Sequence, residues 1–92
     1  MDLYIIRRRS AWGNLEEAQA AGDKSKSVGE EMSDQIRWIR SYVVNEPDGR
    51  IGSVCIYEGR DVESIREHGR RIGAPGEVHL VESTAVMRDD PS

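Results

Sequence analysis

Arg37-Trp38-Ile39-Arg40-Ser41-Tyr42-Val43-Val44-Asn45-Glu46-Pro47-Asp48-Gly49-Arg50-Ile51-Gly52-Ser53-Val54-Cys55-Ile56-Tyr57-Glu58 reads as a β-hairpin, and this reading decides the fold. Residues 36–44 and 51–57 are rich in β-branched and aromatic side chains, as strands are. Between them, Pro47 presets φ and Gly49 permits positive φ, so residues 46–50 form the turn. Side chains alternate faces along a strand. Strict alternation puts Ile39, Ser41, Val43, Val54 and Ile56 on a plain core face. It puts Trp38, Arg40, Tyr42, Val44, Ser53, Cys55 and Tyr57 on the other. That second face mixes aromatic rings, a guanidinium and the one thiol of the chain, so something is expected to cover it.

Working outward, residues 2–9 read as a first strand, with Arg7-Arg8-Arg9 as its exit into solvent rather than an anion site. Asn14 is an N-cap, and Glu17 three residues on completes a capping box. The helix it opens runs to about Ser33, with Leu15, Ala18, Ala21, Val28 and Met32 as its apolar stripe. Gly22, Ser25 and Gly29 near that stripe are expected to let the helix approach the sheet. After the hairpin, Asp61 caps a second helix whose buried stripe is Val62, Ile65, Gly69 and Ile72. Arg66, Arg70 and Arg71 suit the negative end of its dipole. Gly73 and Pro75 stop it. Residues 77–88 read as a last strand and 89–92 as a frayed tail.

The order is therefore βαββαβ. The expected fold is α+β and ferredoxin-like: a four-stranded antiparallel sheet with two helices on one face, in a single domain spanning 1–92. With 92 residues, 37% hydrophobic and no Phe, such a domain has a thin core. It buries only roughly 60–65% of its unfolded surface, and dimerisation is a common remedy. A net charge of −4 argues against nucleic acid or an anionic membrane as partner. Met1-Asp2 leads directly into a strand and no apolar run reaches membrane length, so neither signal peptide nor membrane span is expected. A lone Cys fits a cytoplasmic location.

Three things can lie on the second face. For RNA, residues 50–57 would need paired aromatic platforms, which they lack. A second protomer pressing sheet on sheet would give a dimeric α/β barrel, and Trp38→Asp would then weaken association. A small molecule would be enclosed by Trp38, Arg40, Tyr42 and Tyr57. For metals, Cys55, His68 and His79 are the soft and borderline donors, and no dense spacing motif joins them. Each also has an ordinary structural role: Cys55 as a small buried side chain, His68 as a hydrogen-bonded histidine bordering the helix stripe, His79 at a strand edge. Cys55 with His68 is the one pair that offers a nucleophile and a base.

Four segments carry a resemblance: Tyr4-Ile5-Ile6-Arg7-Arg8, Arg37 to Val44, Cys55-Ile56-Tyr57-Glu58, and Ile65 to Pro75 with its Arg66-Glu67-His68 core. Together the chain from about Leu3 to Arg88 resembles a family of small bacterial proteins, a domain of unknown function whose members are described as nickel-binding. Gly69 stands where that family usually has Ala. The resemblance implies a homodimeric ferredoxin-like α/β barrel and a divalent metal, nickel being the one named. His68 and Cys55 fall on recognisable family positions, and they are taken as the metal ligands on their chemistry. The functional expectation is a cytoplasmic homodimer that binds nickel and is not an enzyme. Against it stand a cofactor-free monooxygenase- or isomerase-like barrel acting on an aromatic or polyketide-like compound, and a dimer without a ligand.

Overall fold

The computed structural model describes residues 1–82. Its elements are β1 (Asp2–Trp12), α1 (Leu15–Glu31), β2 (Ile36–Asn45), β3 (Ile51–Gly59), α2 (Val62–Arg71) and β4 (Glu77–Leu80). The strands form one antiparallel sheet in the order β2-β3-β1-β4. This is the ferredoxin-like α+β arrangement. The smallest extent is 16 Å, which leaves room for one sheet and one helix layer and nothing more.

The local signals act as the sequence expects. Asn14 Oδ1 accepts from Glu17 N at 2.9 Å, and Glu17 Oε2 accepts from Gly13 N at 2.6 Å. Asp61 Oδ1 accepts from both Ser64 N and Ser64 Oγ at 2.8 Å. Gly49 and Gly73 take positive φ, 84° and 71°, at the hairpin turn and after α2. β4 ends at Leu80, short of the expected Arg88. Residues 83–88 of that expected strand, and the tail 89–92, lie outside the described residues.

Two expectations about the strands fail, each next to a shift in register. In the hairpin, Trp38 pairs with Tyr57 but Arg40 pairs with Ile56, so Ile39 is an extra residue. An extra residue flips every later side chain to the opposite face. Trp38, Ser41 and Val43 therefore share the helix side with Tyr57, Cys55 and Ser53. Arg40, Tyr42 and Val44 share the uncovered side with Ile56, Val54 and Gly52. The face predicted to be bare is, on β3, the core itself: Ser53, Cys55 and Tyr57 are buried with Tyr4 and Ile6 under the helices. Ile39 and Val43, expected in the core, are exposed.

The second failure is at Arg7-Arg8-Arg9. β1 does not end there; it shifts register between Arg8 and Trp12 and continues, with Ser10 at φ 49°. Glu46 stabilises this bend. Its carboxylate accepts from Ser10 N at 2.9 Å and from Arg7 Nη2 at 2.8 Å, which holds its pKa below the ordinary value. Arg9 is exposed, whereas Arg8 turns inward and is only 4% exposed.

Candidate functional site

The helix side of the sheet holds two linked cavities. Between α1 and β2 lies a groove of about 670 Å³, lined by Ser25, Gly29, Ile36, Trp38, Ser41 and Tyr57 among others. A smaller cavity of about 110 Å³ lies inward, where Arg8, Trp12, Ser53 and Cys55 reach it. Gly22, Ser25 and Ser41 line both. The expectation that Gly22 and Gly29 let α1 close onto the sheet does not hold. A Cβ added at either would meet nothing within 4 Å. Each helical Gly costs roughly 1 kcal/mol relative to Ala. What this sacrifice leaves is open space.

The groove floor is a polar chain through three elements. Ser25 Oγ on α1 lies 2.8 Å from Tyr57 OH on β3. His68 on α2 points its Nε2 at Ser25 O, 3.1 Å away, and at Ser25 Oγ, 3.3 Å away. A carbonyl only accepts, so the ring carries its proton on Nε2. The Tyr57 and His68 rings are tilted against each other with centroids 5.1 Å apart. Burial raises the Tyr57 pKa against the opposing effect of the Ser25 hydrogen bond. Burial is also the main cause that lowers the His68 pKa, and the Arg8 cation adds to it.

A stability prediction follows from His68. Its folded pKa lies below the ordinary 6.5, so the unfolded chain binds the proton more readily. The stability from keeping His68 neutral is complete above pH 6.5. It falls as pH drops below that value and is gone below the folded pKa. The lowered carboxylates, Glu46, Glu67 and Glu77, start from ordinary values of 4.5 and act at lower pH. Urea denaturation from pH 7 down to pH 5 is thus expected to show declining stability that His68→Gln flattens. An equal slope in both proteins would assign the decline elsewhere.

The inner cavity has a different character. Arg8 Nε donates to Ala74 O at 2.5 Å, and Arg8 Nη1 donates toward Cys55 Sγ at 3.4 Å. Cys55 in turn faces Ser53 Oγ at 3.7 Å. No carboxylate pairs with Arg8 among the described residues.

The predicted site residues are thus separated. Trp38 and Tyr57 line the groove. Arg40 and Tyr42 stand on the uncovered face by register, Arg40 Nη1 donating to Tyr42 OH at 3.2 Å, although Tyr42 at the strand edge also borders the inner cavity. The four do not form one pocket face. His68 and Cys55 are both buried; His68 donates from Nε2 to Ser25, which leaves Nδ1 as its available lone pair, and Cys55 sits beside a fixed cation. Among the described residues no three His, Cys, Asp or Glu side chains cluster, so the pair has no third such donor beside it. Arg8 is the site residue that sequence reasoning missed. Its alternation with Ile6 and Tyr4 was the available signal, because these three share the buried side of β1.

His79 is the accessible histidine. It stands on β4 opposite Ile5, on the uncovered side, with Nε2 3.4 Å from Glu77 Oε2. No helix among the described residues is long and apolar enough to cross a membrane.

No curated protein matches the sequence. The crystal structure of SCO4226 from Streptomyces coelicolor A3(2) has the same fold, with a TM-score of 0.70 and 18% identity over 90% of this chain and 99% of that one. Residues 4–79, which carry every element from β1 to the histidine of β4, match the family described as nickel responsive protein SCO4226-like. The chain belongs to the SCO4226-like family of nickel responsive proteins.

Proposed function

We propose that this protein is a small cytoplasmic homodimer that binds nickel at an exposed histidine–carboxylate pair. Family membership is the observation that carries the nickel reading. The location rests on chemistry. Ni²⁺ accepts imidazole and carboxylate and lies high in the general affinity order. His79 and Glu77 offer both at an edge that solvent reaches; Arg9, which donates to Glu77 at 3.4 Å, is itself exposed and free to swing aside for the ion. His68 and Cys55 offer an imidazole and a thiol next to a buried guanidinium, a setting that repels a divalent cation.

The dimer reading rests on the uncovered face. Ile5 and Ile56 pair across its two central strands with Val54 beside them; Arg7, bonded to Glu46, stands opposite Val54, and Arg40, Tyr42 and His79 flank these rows. Subunit interfaces combine apolar contact with polar groups in this way, and Tyr and Arg are enriched in them. His79 lies on the same face, so a second copy seated there brings further donors to the ion.

Nickel titration by calorimetry on untagged protein tests the assignment, with metal content measured in parallel by mass spectrometry. The expected result is saturable binding that His79→Ala weakens by about ten-fold or more, since even loss of an outer-shell partner of a metal ligand costs that much, while His68→Ala leaves it unchanged. The reverse pattern would return the ion to the buried His68 and Cys55. Unsaturable uptake by all three proteins would reject nickel binding.

A further inference from the structure

We propose that the two linked cavities form a binding site for a small aromatic carboxylate, its anionic end at Arg8 and its ring in the groove between α1 and β2. The proposal is independent of the nickel reading and uses none of its residues.

Arg8 is the first ground. A guanidinium that is 4% exposed has given up its hydration, and a buried charge is ordinarily paired. Arg8 receives one backbone carbonyl and one thiol, and no counter-charge among the described residues. It borders the inner cavity, which also presents the Ser53 and Ser41 hydroxyls. A planar fork of N–H groups beside a cavity is the arrangement that recognises a carboxylate.

The groove is the second ground. It opens from that cavity past Gly22, Ser25 and Ser41, and its apolar walls are Ile36, Trp38 and the Tyr57 ring. Flat aromatic walls favour a flat ring. The absence of side chains at Gly22 and Gly29 keeps the volume open, since added Cβ atoms there would meet no protein atom. Lys26, Glu30 and Arg37 also line the groove but are exposed, so Arg8 is the buried cation of the two cavities, and a buried cation beside apolar walls favours an amphiphilic anion over a neutral compound.

The test is calorimetric titration of the full chain, without added metal, using 1-naphthoate and its neutral counterpart 1-naphthamide as probes. Naphthoate is expected to bind once per chain and naphthamide about ten-fold or more weakly, because only the carboxylate answers the buried cation. Arg8→Met should remove that preference. Gly22→Leu should abolish binding of both probes by filling the passage, and it favours the helix, so it remains informative if Arg8→Met fails to fold. Equal affinity for the two probes, no binding of naphthoate, or naphthoate binding undiminished in Gly22→Leu would each overturn the proposal.

Discussion

Ile56→Asp is expected to convert the proposed dimer to a monomer. Ile56 lies mid-sheet on the uncovered side, flanked by Ile5 of β1 and Arg40 of β2. A carboxylate there stays hydrated in a lone chain. In a sheet-to-sheet dimer it is buried without a partner, which costs several kcal/mol, and two-fold symmetry introduces it twice. Association should weaken by about a hundred-fold or more. Light scattering at low micromolar concentration should then report the 10.4 kDa of a single chain. Trp38→Asp is the control. Simple alternation placed Trp38 on the associating face, but the bulge at Ile39 sends it to the helix side. It should therefore leave the dimer mass unchanged. If Trp38→Asp dissociates the protein and Ile56→Asp does not, the interface lies along the β2 edge and the sheet-to-sheet arrangement is wrong.

Met32→Ala is expected to be the most destabilising truncation of the α1 stripe. Met32 is 1% exposed and ends α1, its N–H bonded to Val28 O at 3.0 Å. Its carbonyl then receives Gln35 N at 2.8 Å and Ile36 N at 3.0 Å, so the turn into β2 folds around this side chain. A flexible thioether suits such an irregular gap. Cutting it to Ala leaves a cavity and costs about 2–5 kcal/mol. In a domain of this size that lowers Tm by roughly 10 °C or more. Leu15→Ala, at the other end of the same predicted stripe, removes a side chain that is 51% exposed. Its expected cost is within about 0.5 kcal/mol. Thermal unfolding of both variants distinguishes a stripe buried at one end from one buried throughout. Equal losses would contradict the burial described.

Leu15 and Met32 show why helical periodicity was informative and incomplete. Spacing names the side of α1 that faces the sheet, but not how far along its length the sheet continues beneath it. Here α1 meets the core at Val28 and Met32, and its earlier turns border the cavities instead. The same distinction applies to Gly22 and Gly29. Their composition signalled something unusual on that face, and only the tertiary fold distinguished close packing from open space.

The sequence by itself determined the element order, the hairpin, both helix N-caps and the family. These depend on short-range chemistry: Asn14 and Asp61 satisfy amides within three residues, and Pro47 and Gly49 set a turn between adjacent strands. Tertiary structure decided where the alternation of a strand breaks and how deeply each face is buried. One extra residue at Ile39 inverts the rest of β2, and the bend at Ser10 carries β1 beyond its run of arginines. Neither register shift is announced by a local motif: the Ser10 bend is held from far along the chain, and Trp38 Nε1 donates to Ser41 Oγ across the Ile39 bulge only once the strand has taken that shape. The glutamate that secures Ser10 is Glu46, and the groups that receive Arg8 are Ala74 and Cys55. Alternation with Tyr4 and Ile6 marks Arg8 as the inward member of its run, but not its lack of a partner. Arg8 becomes a candidate site only when the fold removes its water and gives it no opposite charge among the described residues.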